Sequence, residues 1–427
     1  MLGIILGLIT LMVLAFKGFS IVWAAPIAAT LVALTGRLDL LNSFTITYMT
    51  GFVGFTQSWF PVFMLSAIFG KLMESTGMAK AIAIKLSQII GEERALLAVI
   101  ISCAILTYGG ISMFVVVFAI YPIAVSLFRE ANVSRIILPA TIALGAFTFT
   151  MTALPGSPQI QNLIPIPYFR TTAMAAPIMG TVAALIIVTL GYFYLAWRQK
   201  QLTDRGESFT EPKGEKSSIQ NEKLPKVWLS LLPLLTVIVA LNLLSWDIVV
   251  AILVGNVLII ALNLSKARGF VKTINEGASG SVTAIVNTSA AVGFGAVVQA
   301  VPDFTLLTDL LIGIPGNPLI SLAVAVNLLA GATGSASGGL GIALDALGVH
   351  YYQLAINSEI SIEAFHRVAT LASGSLDALP HNGAIITLLI ITGLSHKESY
   401  KDIAIATIVI PIIATIVVII LATAGIY

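Results

Sequence analysis

A stretch rich in glycine, serine and threonine, GATGSASGGLG at residues 331–341, decides how this sequence folds. The preceding SLAVAVNLLA (321–330) is as apolar as a lipid-facing helix, and the apolar IALDAL (342–347) follows. Glycine and hydroxyl residues favour an interrupted helix. Interrupted backbone at membrane depth is tolerated only where protein or a water-filled cavity covers it. The stretch therefore predicts a covered break inside a membrane protein.

The composition supports this class. Of the 427 residues, 58% are hydrophobic and 10% are charged, whereas soluble domains carry about 25% charged residues. Apolar stretches of roughly 17–25 residues recur along the chain, which predicts an all-α polytopic membrane protein. The N-terminal apolar stretch, residues 1–16, lacks a cleavage site and is expected to be retained as a helix. The single cysteine, Cys103, excludes a disulfide within the chain and a cysteine-based metal site.

The basic residues predict the orientation. The polar stretch 198–226 holds seven of them and is expected in the cytoplasm. Alternation then leaves only Arg37, Arg170 and Arg367 outside, with both termini outside a plasma membrane. This assignment requires residues 95–128 and 317–347 to enter the membrane and return to the same side, as re-entrant hairpins.

The two halves repeat each other at a shift of 225 residues. An odd number of crossings, about five in each half, makes the repeats inverted, as in secondary transporters. The predicted units are the first inverted repeat (1–197), a cytoplasmic linker (198–226) and the second inverted repeat (227–427). Each repeat contains one hairpin and one broken helix. The matching landmarks are Phe69-Gly70 with Phe294-Gly295, Gly91 with Gly316, Gly109 and Ser112 with Gly334 and Ser337, and Ala153-Leu154-Pro155 with Ala378-Leu379-Pro380.

The hairpin tips and the helix breaks are predicted to line a substrate site near the bilayer midplane. Breaks free backbone groups from helical bonding, half-helix N-termini attract anions, and glycine permits close approach to the backbone. Small residues can instead serve helix packing, and serine or threonine can bond back to a helix carbonyl. The candidate substrate-binding residues are Thr107, Gly109, Gly110, Ser112, Ser157, Gln159, Asn162, Thr333, Gly334, Ser335, Ser337, Gly338 and Asn382.

Ionisable residues are few in the apolar spans, and they are functional candidates there. His381 lies in the second broken helix with Asp377 four residues before it, so this pair is the candidate for proton coupling. The alternative for His381 is a hydrogen bond to neighbouring backbone. His366 and Arg367, at an outer helix start, are expected to steer anions inward or to anchor the interface. No fixed cation is expected at the midplane.

Other motifs limit the remaining classes. The segments 78–90 and 304–312 are expected to lie along the membrane plane before each hairpin. No phosphate-binding loop, zinc-ligand spacing or nucleotide fingerprint occurs in the sequence, so no cofactor, metal or nucleic-acid partner is expected. The expected partners are the lipid bilayer, a small substrate and a coupling ion, and a homodimer is left open.

Three stretches resemble the gluconate permease (GntP) family of the ion transporter superfamily: TYGGISMFVVVFAIYPIA (107–124), GATGSASGGLGIAL (331–344) and LPHNGAIITLLIITGLSHKESYKDI (379–403). The resemblance covers nearly the whole chain. The last stretch is most similar to the 3-hydroxybutyrate branch. This resemblance implies proton-coupled uptake of a small organic acid by an elevator-type or rocking movement.

The leading hypothesis is a proton symporter for a hydroxy-monocarboxylate such as 3-hydroxybutyrate. The alternatives within the family are a gluconate or glycerate permease and a D-serine-type permease. A sodium-coupled carboxylate carrier and a passive channel also stay open, although the polar residues cluster at breaks and form no continuous stripe. A membrane enzyme is disfavoured because no nucleophile–base or metal constellation occurs in the sequence.

Overall fold

The computed structural model describes residues 2–212, 224–306 and 316–427. Within these ranges every regular element is a helix and no strand occurs, which confirms the all-α class. The predicted interfacial segment 304–312 and the linker 198–226 each extend into residues outside the described ranges.

Seventeen helices of nine or more residues, numbered α1 to α17, make up most of the described chain. The first eight are α1 (Leu2–Phe16), α2 (Ile21–Thr35), α3 (Met49–Ser75), α4 (Met78–Ile90), α5 (Ala95–Tyr108), α6 (Met113–Glu130), α7 (Leu138–Ala146) and α8 (Pro177–Asp204). The other nine are α9 (Val227–Asn242), α10 (Ile248–Leu262), α11 (Ala267–Ala300), α12 (Pro318–Thr333), α13 (Ala336–Asn357), α14 (Ile362–Ser373), α15 (Gly383–Thr392), α16 (His396–Ala404) and α17 (Ile410–Thr423). Shorter helical turns are Leu40–Asn42, Ser43–Tyr48, Glu92–Arg94, Arg135–Ile137, Phe149–Thr152, Ile160–Leu163, Pro165–Phe169, Leu264–Lys266, Leu376–Ala378 and Ile405–Val409.

The order of helices occurs twice at the shift read from the sequence. Adding 225 to the bounds of α5 (95–108) gives 320–333, and α12 spans Pro318–Thr333. The same addition takes α6 (113–130) to 338–355, and α13 spans Ala336–Asn357. Both predicted hairpins are therefore helix–turn–helix pairs. The division into two inverted repeats stays a prediction.

Length and hydropathy identify membrane-crossing helices among the described residues. Five helices are long and apolar enough to cross, and a sixth span is a helix pair bent by 53° at a short break. The five are Leu40–Ser75, Arg135–Thr152, Pro177–Asp204, Leu264–Ala300 and His396–Thr423, and the bent pair is Ile362–Ala378 with Gly383–Thr392. Six shorter apolar helices accompany them. The polytopic class is confirmed, while five crossings in each half stays a prediction.

The helices form two layers. The long-helix layer consists of α1, α2, α3, α9, α10 and α11, in which α3 packs along α11, α2 packs on α11 and α10 packs on α3. Gly277 permits the close approach of α11 to α3, because a Cβ there would lie 2.8 Å from the Cα of Ile68. The Tyr48 hydroxyl, just before α3, donates to the Ala290 carbonyl of α11 at 3.0 Å. The two halves are thus interleaved in this layer.

The hairpin layer contains both helix–turn–helix pairs, both broken helices, α8, α16 and α17. Here α5 packs on α7, α12 packs on α14, and α8 packs on α17. The broken helix of the first half is central: 94% of its apolar window (135–152) is buried, against 22% for the window of the span 40–75. The candidate residues Thr107, Ser157, Asn162 and Thr333 are themselves buried.

Residues predicted to share a membrane side come together. On the predicted cytoplasmic side, Lys266 Nζ donates to the Thr76 carbonyl at 2.8 Å, and Arg198 pairs with Asp402 at 3.0 Å. On the predicted outer side, the Tyr427 hydroxyl donates to the Glu359 carbonyl at 3.3 Å. These contacts bring together the residues of each predicted membrane side. The distribution of basic residues predicts which side is cytoplasmic.

The orientation can be tested at two exposed glutamates on opposite faces. In the Glu359→Cys variant we expect a membrane-impermeant maleimide to react in intact cells. In the Glu207→Cys variant we expect reaction only after permeabilisation, because residue 207 lies at the start of the basic linker. The native Cys103 is buried and provides an unreactive background. The opposite labelling pattern would reverse the orientation.

Candidate functional site

The first hairpin tip (residues 109–112) is tied to the first break (residues 153–159), which separates the turns Phe149–Thr152 and Ile160–Leu163. Gly110 adopts φ +94°, which lets the chain reverse between α5 and α6. The Gln159 side-chain amide donates to the Thr107 carbonyl at 2.6 Å and to the Ile111 carbonyl at 3.3 Å. The Tyr108 hydroxyl donates in turn to the Pro155 carbonyl at 2.9 Å. Tip and break thus hold each other in place.

The second tip (residues 334–335) is tied to the second break (residues 379–382) in a similar way. Gly334 adopts φ +60° and ends α12. The Asn382 amide donates to the Gly334 carbonyl at 3.0 Å and to the Asp377 carbonyl at 2.9 Å. Its oxygen accepts from the backbone N–H groups of Ala384 and Ile385, so Asn382 also caps α15. One side chain therefore supports the tip, the break and the following helix.

The breaks also contact the opposite hairpins. The turn Ile160–Leu163 after the first break packs against α13, and α15 after the second break packs against α6. The four predicted segments are therefore neighbours in the hairpin layer. Among the described residues, no side-chain hydrogen bond joins the first tip directly to the second.

Several predicted residues satisfy backbone groups. The Ser157 hydroxyl donates to the Thr150 carbonyl at 3.0 Å, and the Asn162 amide donates to the carbonyls of Ser157 and Ala173, both at 2.9 Å. The Thr333 hydroxyl bonds back to the Leu329 carbonyl at 2.9 Å, as the alternative for single hydroxyl residues anticipates. These side chains therefore bind backbone carbonyls and support the predicted site.

The hydroxyls at the tips have fewer bonds. Ser335 caps α13 by accepting from the Gly338 N–H at 3.1 Å, and its hydroxyl lies 3.4 Å from that of Ser337. Ser112 precedes α6 without capping it through its side chain. The buried Thr107 hydroxyl has no hydrogen-bond partner among the described residues. The hydroxyls in or next to the tips, those of Thr107, Ser112, Ser335 and Ser337, are the candidates that remain for contacts with a ligand.

The two candidates for proton coupling lie at the second break. Asp377 is buried in the turn Leu376–Ala378. The buried His381 ring lies against the second tip, since a Cβ on Gly334 would come within 2.8 Å of its Cδ2. Both side chains therefore lie beside the tip and break that Asn382 connects.

The structure adds a brace that the sequence did not indicate. The Tyr400 hydroxyl donates to the Ala378 carbonyl at 3.1 Å, and His396 Nε2 lies 2.9 Å from the Pro380 carbonyl. Both side chains belong to α16, so this helix supports the carbonyls flanking the second break. Their spacing of one helical turn is the signal that sequence inspection could have used.

The placement of His366 and Arg367 corrects the expectation from the sequence. Both side chains have 0% exposure, so neither acts at the surface. Arg367 Nε and Nη2 donate to the Ala175 carbonyl at 3.1 and 2.7 Å, and Nη1 donates to Asn162 Oδ1 at 3.0 Å. His366 Nδ1 lies 2.6 Å from the Thr171 hydroxyl. The first-half segment 170–176 covers this helix start, so the protein interior does contain a fixed cation.

An open groove of about 510 Å³ lies apart from both breaks. It runs along the end of α13 and includes Arg170, whose guanidinium lies 5.2 Å from the Tyr352 ring centroid. Its other lining residues come mostly from the segment 355–362. Because no residue of either tip or break lines the groove, we do not include it in the candidate site.

Comparison with known proteins identifies the family. The family model described as GntP family permease matches residues 1–257. The chain is 39% identical to an uncharacterized transporter, YxjC, of Bacillus subtilis (strain 168), over 95% of each protein. The chain belongs to the GntP family of permeases. It is also 27% identical to an uncharacterized transporter of Haemophilus influenzae, over 79% of this chain and 78% of that protein.

Family membership confirms the coarse function. This protein is a membrane transporter and not an enzyme, because the family model describes permeases and the similar proteins are named as transporters. The tips and breaks are accordingly considered as parts of a transport site.

The bond between Asn382 and the second tip can be tested by separating its two roles. Asn382→Ala removes the cap and both amide donations, and we expect a loss of about 2–4 kcal/mol of stability. Asn382→Asp keeps the cap acceptor and loses the donors, so its melting temperature should fall between those of Asn382→Ala and the parent. Thr387→Ala, at a half-buried position of the same helix, should change it little. Parent-like melting of Asn382→Asp would show that the bond to Gly334 does not support the tip.

A second test concerns the left-handed backbone at Gly334. Alanine there costs about 1–2 kcal/mol in backbone strain, and its Cβ would lie 2.8 Å from the His381 ring. We expect faster hydrogen–deuterium exchange across residues 331–341 in Gly334→Ala. Gly383→Ala is the matched control, because no atom lies within 4 Å of its added Cβ. Equal exchange in both variants would contradict a strained, tightly packed tip.

Proposed function

We propose that this permease is a secondary transporter for a small hydroxy-monocarboxylate, with 3-hydroxybutyrate as the leading candidate. The observation that carries the proposal is the pair of interrupted helices, each tied to a hairpin tip by side-chain amide hydrogen bonds. Such breaks supply backbone polar groups where lipid offers none. Gluconate, glycerate and D-serine remain the substrate alternatives within the family.

The second break offers the clearer cradle for a carboxylate. It begins α15, a ten-residue helix whose N-terminus carries a partial positive charge. The Ser335 and Ser337 hydroxyls lie at the adjacent tip, where they can donate to a carboxylate or accept from a substrate hydroxyl. A short hydroxy acid carries both functional groups, so its chemistry suits this arrangement.

Proton coupling is the preferred energy source. Asp377 and His381 are buried beside the second tip and can carry a proton in one stage of transport. Sodium would need several free carbonyl oxygens. The Thr107, Ile111 and Gly334 carbonyls at the tips each already accept from an amide side chain. This occupancy favours proton over sodium coupling.

The proposed transport cycle uses the whole architecture. Two inverted repeats, 1–197 and 227–427, would alternate access through an elevator-type or rocking movement in the plasma membrane, with the linker 198–226 in the cytoplasm. A homodimer is compatible with this cycle, and no step of the proposal depends on it.

Uptake into reconstituted vesicles tests the proposal. Labelled 3-hydroxybutyrate should accumulate with an inward proton gradient and should not respond to an inward sodium gradient at equal pH. Asp377→Asn should abolish the proton-driven accumulation, whereas Asp345→Asn, at an exposed acid of the same half, should leave it intact. Counterflow of the label without an ion gradient would confirm a carrier. Sodium-driven uptake would overturn the coupling, and uptake of gluconate, glycerate or serine alone would replace the substrate.

A further inference from the structure

The two breaks differ in the source of positive charge beside them. The second break begins the ten-residue helix α15. The first break is followed only by the turns Ile160–Leu163 and Pro165–Phe169, of four and five residues. Pro165 has no N–H, so the helical hydrogen-bond ladder is interrupted between these two turns, whereas α15 is continuous. Arg367, whose equivalent in the first half is Ile142 at the shift of 225, is found beside the first break instead.

The Arg367 guanidinium is a buried charge held mainly by neutral oxygens. Its hydrogen bonds end on the carbonyls of Ala173 and Ala175 and on Asn162 Oδ1. Within residues 2–212, 224–306 and 316–427, no carboxylate oxygen forms an ion pair with it. Glu363, one turn earlier, interacts with it at longer range, and its Oε2 accepts from the Ala176 N–H at 2.8 Å. In a medium of low dielectric, such a charge acts over several ångströms.

The guanidinium adjoins the first break closely. A Cβ added to Gly180 would lie 3.1 Å from Arg367 Nε, 2.5 Å from the Ala153 carbonyl oxygen and 3.1 Å from Pro155 Cγ. Only a glycine lets these three groups meet. Asn162 extends the contact, because it accepts from Arg367 and donates to the Ser157 carbonyl. Arg367 thus reaches the middle of the break through one side chain.

We propose that Arg367 is the residue that makes the first break select anions. It holds Asn162, and through it Ser157, in place, and its charge gives the first break the positive potential that α15 gives the second. The guanidinium has no exposure, and its bonds are largely occupied, so it acts as a positioning and charge-supplying residue without contacting the substrate. This inference rests on the proposed transport of an organic acid.

The test separates charge from hydrogen bonding. Arg367→Gln keeps amide donors for the carbonyls and removes the charge, whereas Arg367→Lys keeps the charge and loses the planar fork. Binding of 3-hydroxybutyrate, gluconate and glycerate to the purified full-length protein would be measured by calorimetry, with 3-hydroxybutyramide as the uncharged probe. We expect Arg367→Gln to raise the Kd of the bound acid by about tenfold or more, as loss of a charge interaction does. Arg367→Lys keeps the charge although it loses the fork, so its Kd should rise by less than about tenfold and less than that of Arg367→Gln.

Arg135→Gln is the matched control, because Arg135 is also buried and lies within 3.5 Å of a carbonyl, that of Thr392. Its Kd for the acid should equal that of the parent. Equal loss in Arg367→Gln and Arg367→Lys, or in the control, would overturn the inference while leaving the proposed function standing. If the parent binds no acid, or binds the amide as tightly as the acid, the proposed substrate class fails and the inference fails with it. If Arg367→Gln cannot be purified, Arg367→Lys decides: near-parental binding supports the charge, and a tenfold loss refutes it.

Discussion

Backbone polar groups freed at membrane depth must find partners within the protein, and the arrangement of the hairpin layer depends on this constraint. Each interrupted helix releases N–H and C=O groups that lipid cannot satisfy. Gln159 and Asn382 meet the requirement by donating to carbonyls at the tips. Since each amide serves a tip and belongs to a break, the two features form one unit. The α16 side chains support the second break from the other side.

The polar connections are less symmetrical than the helices. Helix bounds match at a shift of 225 residues, yet Gln159 corresponds to Ala384 and Asn382 corresponds to Ser157. In each half a side-chain amide therefore donates to a tip carbonyl, but the two amides come from positions that do not correspond. Repeated packing preserves the scaffold, because glycine and alanine contacts tolerate little change. Binding chemistry needs no such symmetry, because a small hydroxy acid has different groups at its two ends.

Features encoded by local residues could be predicted from the sequence, and features created by contact between halves could not. Gly334 and Pro380 stand in stretches where several residues disfavour a helix, and the second tip and break occur there as expected. A single such residue is not sufficient, because Pro61 and Pro122 lie inside helices. Alternation of the basic residues predicts that Arg367 lies on the outer side, at a helix start where it would steer anions or anchor the interface. Only the folded chain shows that the segment 170–176 of the other half covers it. Gln159 and Asn382 were predicted as ligand groups, and their bonds assign them first to the backbone.

The same ties restrict the kind of movement that can alternate access. Opening a tip alone would break the amide bonds at its base and leave carbonyls unsatisfied, at about 1–3 kcal/mol for each group. A movement of tip and break together keeps those bonds. Its sliding surface would be the boundary with the long-helix layer, where hairpin glycines meet apolar side chains: Gly109 faces Leu234 and Gly341 faces Phe55. These glycine contacts lack directional bonds, whereas the Asn242 amide of α9 donates to the Gly156 carbonyl of the first break at 2.9 Å across the same boundary. Displacement of the hairpin layer as a unit would therefore keep the bonds between tips and breaks and would have to exchange the bond between Asn242 and Gly156.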